Sequence, residues 1–416
     1  MLILRRFIGG IVVALVSVGC FLAAAVMSSA PSVGSARLPD AVDVQAAETL
    51  YADLQTMVQT PEPRSQRFAI ETARSVQRLI EHAKSDRRAD LLLSDAEARL
   101  RISTRIASSS WIDATLILRE RADGGTPAVG IRIGAFDLPD RLVAALIGLA
   151  AEIASEGAGP PPGLEALVPR FAVDPQGVDV TARLPPKSLG VLQLLGGRGG
   201  AKFDRDEVYR VYGALLGAQL RSPTKDFAQL VRRAMAGAET GPQISARLVA
   251  LALMVDGPRG RRLIGIMDIS APCPIEPPEF LLHGRSDLPK HIALSAAITS
   301  ARDTRLATAL GLWKELRDSL PGGSGWSFVD LAADRAGIRL AAAAKGQDWQ
   351  ALRTGLAAVK ADQLYPPALL ALPEALPDPE FRRRYGGLAD RRMRAVTGRI
   401  DQLLDGSPVY RGMAAD

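Results

Sequence analysis

The side chains that can do chemistry are concentrated between His283 and Gly337. In order they are His283, Lys290-His291, Lys314-Glu315, Asp318, Ser324, Ser327, Asp330 and Asp334. Two of the chain's three histidines and two of its eight lysines lie in this stretch, in a chain that carries most of its positive charge on forty-three arginines. A histidine grouped with carboxylates from several helices is a donor set for a hard divalent ion or for general acid–base catalysis. His291, Glu315, Asp318, Asp330 and Asp334 are therefore the candidate catalytic residues, and His291, Glu315, Asp330 and Asp334 the candidate metal ligands. The same positions also suit a buried structural network of Lys290, His291, Lys314, Glu315, Asp318, Ser324, Ser327, Asp330 and Asp334. In such a network paired charges fix helix register. The spacing H-E-x-x-H is missing, as is a paired Glu-x-x-His. Ser324 stands in Gly-Gly-Ser-Gly rather than in G-x-S-x-G after a strand, so it is a poor nucleophile candidate. The expectation is a non-catalytic block without a cofactor, with a divalent metal as the alternative.

Three helices must position these groups. Pro289 suits a first turn and predicts a helix to Thr299. A second helix runs from Thr304 to Ser319, and Gly322–Gly325 forms a tight loop. Ser327 then caps a third helix, with Asp330 as the capping-box acid. Residues three and four apart share a helix face, so Asp330, Asp334 and Gly337 form one stripe, and Glu315 and Asp318 share another.

The order K-H, G-x-x-K-E-x-x-D, G-S-G-x-S-x-x-D-L-x-x-D-x-x-G resembles the YfiM-type predicted periplasmic lipoproteins. More distantly it is similar to the helical core of VanZ-like membrane proteins. The whole chain resembles long, anchored proteobacterial envelope proteins of unassigned activity that carry such a block near the C-terminus. The polar positions of that family fall here on Lys290, His291, Lys314, Glu315, Asp318, Ser324, Ser327, Asp330 and Asp334. The resemblance implies an envelope location and a shared local fold. It implies no reaction.

The N-terminus points the same way. Arg5 and Arg6 precede an uncharged run from Phe7 to Ala30. As a helix it would span about 36 Å, enough for a bilayer core of about 30 Å. The arginines would stay cytoplasmic and the bulk would be periplasmic, in a single-pass inner-membrane protein held through residues 7–30. A cleaved signal ending at Ser28-Ser29-Ala30 and a lipoprotein modified at Cys20 are the other readings. The second cysteine, Cys273, lies between two prolines, and no C-x-x-C pair is present.

The net charge of +6 is spread over alternating arginine and acid, and only 5% of residues are aromatic. That excludes a base-stacking platform, and no nucleic-acid partner is expected. The fold class expected is α+β. An anchor or signal over 1–36 leads to a domain over 41–185, a glycine-rich linker over 186–204 and a mostly helical domain over 205–416. In the 41–185 domain, amphipathic helices at 41–59 and 64–83 precede an antiparallel meander of strands at 91–93, 98–106, 112–118 and 129–136. Asp123-Gly124-Gly125 supplies a hairpin turn, and a helix from Asp140 and a strand at 178–184 follow. This order resembles envelope domains whose curved sheet forms an apolar trough for lipid. The C-terminal domain reads as helices at 205–219, 224–237 and 243–256, a strand at 262–269, the three-helix block, and helices at 347–360 and 388–404. The function expected is a membrane-anchored envelope protein that binds lipid or another envelope component without catalysis. A metal-dependent hydrolase acting on an envelope lipid or a cell-wall precursor is the alternative.

Overall fold

The named strands all lie in the first half of the chain, interleaved with helices, and the second half is helical. The computed structural model describes residues 26–60, 62–84, 86–154, 163–184, 204–264 and 278–411. It is mixed, with antiparallel sheets in the first part and helices in the second, and divides into two units, Met1–Arg198 and Gly199–Asp416.

The first unit contains β1 (Met27–Ser28), α1 (Ala41–Gln59), β2 (Arg64–Ala69), α2 (Ile70–Ala83), β3 (Arg87–Leu93), β4 (Glu97–Ala107), β5 (Ser110–Arg119), β6 (Ala128–Ile133), β7 (Phe136–Asp137), α3 (Asp140–Ala154), α4 (Leu164–Leu167), β8 (Arg170–Asp174) and β9 (Gly177–Ala182). The meander is a sheet in the order β3-β4-β5-β6-β7, with β1 added to β5. Gly124 takes a positive φ of 63° in the β5–β6 connection, as the hairpin reading requires. A second sheet, β2-β9-β8, was not expected. The helix expected over 64–83 begins only at Ile70. Its first six residues pair with β9, where Ser65 and Thr181 share a hydroxyl hydrogen bond of 2.8 Å and Arg67 pairs with Asp179, while Arg67 also reaches Asp174 of β8 at 2.7 Å. Residues 64–67 are all polar, so they offer a helix no apolar stripe, and pairing with β9 is what makes them strand. The carboxylate of Asp174 accepts the N–H groups of Gln176 (2.7 Å) and Gly177 (3.0 Å) and closes the β8–β9 turn. Phe171 and Val173 of β8 pack on Ala98 of β4, so side chains fill that part of the sheet face.

The expected anchor lies mostly outside the described residues. Its last part is a correction. Met27 pairs with Ile112 and Ser28 with Trp111, so these residues are strand rather than helix. The uncharged run left for a helix is Phe7–Val26, about 30 Å long. Among the described residues no helix is long and apolar enough to cross a membrane. The linker of 186–204 lies outside the described residues except for Asp204, which caps the next helix through its side chain.

The second unit contains α5 (Arg205–Arg221), α6 (Phe227–Met235), α7 (Gly241–Ile264), α8 (Asp287–Ala301), α9 (Thr304–Asp318), α10 (Phe328–Lys345), α11 (Trp349–Ala357), α12 (Ala361–Leu364), a 3-10 turn (Pro367–Ala371), α13 (Asp378–Tyr385) and α14 (Arg391–Asp405). The strand expected at 262–269 is corrected where it can be seen: Arg262–Ile264 continue α7 beyond a break at Gly257, and the rest lies outside the described residues. A buried α10 forms the axis. It meets α8 at close range because Gly337 has no side chain, and any Cβ there would collide with the carbonyl oxygen of Ile292. Buried alanines continue that contact at Ala293, Ala296, Ala333 and Ala336. Arg335 and Arg339 of α10 hold Asp401 of α14 at 2.6 and 2.9 Å.

Candidate functional site: a buried charge cluster between three helices

The close contact of α8 and α10 sets the site. His291 and Ser295 are one turn apart on α8, and Asp330 and Asp334 one turn apart on α10, so two two-residue faces meet. The His291 ring bridges the carboxylates, with Nε2 3.2 Å from Asp330 Oδ2 and Nδ1 3.0 Å from Asp334 Oδ1. Ser295 Oγ donates to the same Asp334 oxygen at 2.7 Å. From α9, Lys314 Nζ reaches Glu315 Oε1 (2.8 Å), Asp318 Oδ2 (2.9 Å) and Asp330 Oδ2 (3.4 Å). Glu315 is fully buried.

The α10 N-terminus shows how the cluster is assembled. Ser327 Oγ accepts the Asp330 N–H at 3.0 Å, as a cap should. The expected capping box is only half formed. Glu315 Oε2, rather than Asp330, accepts the Ser327 N–H at 2.8 Å. Asp330 is thereby released to face His291 and Lys314.

Two expected members are absent. Lys290 and Ser324 are exposed and lie outside the cluster. Lys290 is adjacent to His291 in sequence and therefore falls about 100° round the helix from it. Ser324 belongs to the glycine turn, where Gly325 has a φ of 90° and abuts Ala375 and Leu376. Four members were missed. Ser295 is one; its spacing of four from His291 was the available signal. Arg285, Asp287 and Glu374 form the others. Arg285 binds Asp287 at 2.6 Å and Glu374 at 2.9 Å, and stands 3.8 Å from Asp330. Glu374 comes from the proline-rich strap, which sequence spacing could not bring to this point. His283, the other histidine of the stretch, is occupied by the backbone, with Nε2 2.8 Å from the Tyr365 carbonyl.

Burial and charge set the protonation. Burial disfavours a charged His291, but Asp334 and Asp330 outweigh it and push the imidazole up to about 10. Burial likewise opposes ionisation of Asp330, yet its hydrogen bond to His291 holds the carboxyl down at about 2. Glu315 goes the other way. Burial and the nearby Asp330 charge raise it to about 7, against the pull of Lys314. Lys314 is raised, the neighbouring carboxylates overcoming its own burial.

These shifts predict a pH profile. His291 rises from 6.5 to about 10, so its contribution is complete below about pH 6.5 and is lost as pH climbs through 10. Glu315 rises from 4.5 to about 7, so its contribution is complete below 4.5 and is lost through 7. Asp330 falls from 3.8 to about 2, so its contribution is complete above 3.8 and is lost as pH drops through 2. The second unit should therefore be most stable near pH 4–5 and lose melting temperature steadily towards pH 10. Tryptophan fluorescence reads this unit, because three of the chain's four tryptophans are Trp313, Trp326 and Trp349. In His291→Gln the decline between pH 7 and 10 should flatten. A wild-type profile flat over that range contradicts the charged imidazole.

His291, Glu315 and Asp330 offer ligand atoms within 4.8 Å of one another, so three of the four expected metal ligands come together. Asp334 stands behind the histidine, and Asp318 on the far side of Lys314. The ammonium of Lys314 is already ion-paired with two of the three donors. Two buried carboxylate oxygens, Asp330 Oδ1 and Asp334 Oδ2, have no hydrogen-bond partner among the described residues. Gly311 packs against the second, and a Cβ there would lie 2.7 Å from it.

In comparisons with protein-family models, curated proteins and solved structures, the chain matches none of them.

Proposed function

We propose that this is a membrane-anchored, periplasmic cell-envelope protein that binds lipid or another envelope component and performs no reaction at the polar block. The observation that carries the non-catalytic reading is the clamp on His291. Both ring nitrogens face carboxylates, Nε2 towards Asp330 Oδ2 and Nδ1 towards Asp334 Oδ1, and Lys314 shares the same Asp330 oxygen, so the imidazole has no nitrogen left to serve as a base. Location rests on the sequence: Arg5-Arg6, then the uncharged Phe7–Val26, then a chain that enters the sheet at once through β1. The resemblance of the block to YfiM-type lipoproteins fits the same location.

The test uses the full chain expressed in a Gram-negative bacterium. It should stay with the inner membrane through carbonate washing, and protease added to spheroplasts should digest its bulk. Deletion of residues 7–26 should release it. Protection from protease in spheroplasts, with digestion only after lysis, overturns the location.

The second reading is a metal-dependent hydrolase acting on an envelope lipid or a cell-wall precursor. It is favoured by the three donors within 4.8 Å and by the two unpartnered buried carboxylate oxygens. Metal analysis of the purified full chain separates the readings. The network reading expects no stoichiometric divalent ion. An equivalent of metal, lost in both His291→Ala and Asp330→Asn, establishes the metal centre instead.

A further inference from the structure

α5 carries a stripe on each side. Val208, Val211, Tyr212 and Leu215 are buried, and Glu207 beside them pairs with Arg247 of α7 at 2.7 Å, so that side belongs to the core of the second unit. On the opposite side Asp206, Tyr209, Gly213, Leu216 and Leu220 follow one another at alternating spacings of three and four, the pattern of a seam between two helices. Tyr209 is 38% and Leu220 74% exposed. Gly213 is exposed in the middle of the helix, where glycine weakens the helix. A Cβ there would meet nothing within 4 Å among the described residues, so packing inside the chain does not call for a glycine. Glycine between an exposed tyrosine and exposed leucine leaves room for a second backbone to come close.

The charges at the two ends of the stripe say which backbone. Asp206 stands in the first turn of α5 and Arg221 is its last residue. The Arg221 guanidinium folds back over Gly217, with Nη1 3.2 Å from where a Cβ would stand, and so lies on the same side of the helix as the stripe. The neighbouring Glu207 and Arg210 are already paired with each other, and neither the Asp206 nor the Arg221 side chain has an ionic or hydrogen-bond partner among the described residues. At about 100° per residue, Asp206 and Arg221 fall on one flank of a line through Gly213, and Tyr209 and Leu216 on the other. A second α5 laid antiparallel, with the two-fold axis passing Gly213, keeps each flank facing its own kind. Asp206 then meets Arg221 of the second copy, Tyr209 meets its Leu216, and each contact occurs twice. A parallel pair would set Asp206 against Asp206 and Arg221 against Arg221, which like charges oppose.

We infer that the outer face of α5 is a self-association surface, on which a second copy of this chain docks antiparallel with Gly213 at the two-fold axis. The inference rests neither on the anchored reading nor on the polar block. A single pair of helices about 25 Å long makes less than a standard-sized interface, so the dimer exchanges with monomer in the micromolar range.

The test is sedimentation velocity of the full chain in detergent over a micromolar concentration series, with circular dichroism of every variant to show that its helices are intact. The wild type should pass from monomer to dimer across the series. Gly213→Leu, at an exposed position, should keep its helical signal and weaken the dimer by about tenfold or more. Asp206→Arg should weaken it by about fivefold, and the swapped pair Asp206→Arg/Arg221→Asp should restore it. A wild type that stays monomeric throughout overturns the inference. A dimer indifferent to Gly213→Leu places the interface elsewhere, the uncharged N-terminal run included, and overturns it as well. A dimer broken by Gly213→Leu but not restored by the swapped pair overturns the antiparallel arrangement.

Discussion

Asp334→Ala should cost the second unit about 3–5 kcal/mol, the range for breaking a buried ion pair from one side. Asp334 is 4% exposed and holds the His291 Nδ1 at 3.0 Å and the Ser295 hydroxyl at 2.7 Å. Its removal leaves a buried imidazolium with Asp330 alone and a buried serine with no acceptor. For a unit of this size that loss lowers the melting temperature by roughly 10 °C. The alanine variant should also draw the histidine's titration down from about 10 towards its ordinary range, readable by NMR of the ring. Adding His291→Leu should return part of the stability, because a buried charge pair removed from both sides costs less than one removed from one side. If Asp334→Ala melts with the wild type, the cluster is not a stabilising network, and the non-catalytic reading loses its main support.

That double variant bears on what the cluster is for. Buried pairs add little net stability over a well-packed apolar core. Their best-attested use is to fix register, and the contacts here are arranged for it. His291 joins α8 to α10, Lys314 joins α9 to α10, and Glu315 holds the first residue before α10 by its backbone N–H. A slip of α10 by one turn would move Asp334 to where Asp330 stands and separate Ser327 from Glu315. Elsewhere in the unit Arg247 does similar work. It is 2% exposed, pairs with Glu207 at 2.7 Å, and donates to the carbonyls of Ala234 and Gly237 at 3.2 and 3.0 Å, closing the end of α6. Nothing in the sequence separates Arg247 from the other arginines, because its role depends on where the carbonyls fall.

The three-helix block was largely legible because its signals are local. Pro289, Ser327 and the four-residue spacings each act within a turn, so His291, Asp330, Asp334 and the Glu315–Asp318 face could be placed before any tertiary contact was known. Lys290 was misplaced for the opposite reason. It was expected to pair with an aspartate of the block, but adjacent helix residues point apart, so the position beside His291 does not share its face. Arg285 and Glu374 were invisible because they are 89 residues apart and meet only through the strap. The capping box failed by competition, since Asp330 faces His291, Lys314 and, at 3.8 Å, Arg285, and Glu315 took over its role. In the first unit the β3–β7 meander was readable from alternation. The β2-β9-β8 sheet was not, because β2 is a short polar segment joined without a break to α2, and only its distant partner makes it a strand.

Trp326→Ala should rank beside Asp334→Ala, at about 3–5 kcal/mol, by a different route. Trp326 has no exposure and stacks on Phe381 at 4.1 Å between ring centres, with Phe328 edge-on at 5.7 Å. Its backbone is fixed as firmly, donating to the Leu376 carbonyl at 2.7 Å and accepting from the Leu376 N–H at 3.1 Å. The ring therefore joins the start of α10 to α13 and the strap, and its loss leaves a cavity at the point where Ser327 and Glu315 meet. Trp326→Phe separates packing from polarity. The indole N–H is buried without a hydrogen-bond partner among the described residues, so phenylalanine forfeits volume but no bond. It should cost roughly 1–2 kcal/mol. Urea unfolding followed by circular dichroism gives both values. Equal losses in the two variants would mean that the indole nitrogen, not the ring, holds the strap, and a polar partner for it would then have to exist. If the alanine variant also depresses the histidine titration as Asp334→Ala does, the aromatic cluster and the charge cluster form one cooperative unit. If the titration stays high, the charge cluster is held by α8, α9 and α10 alone.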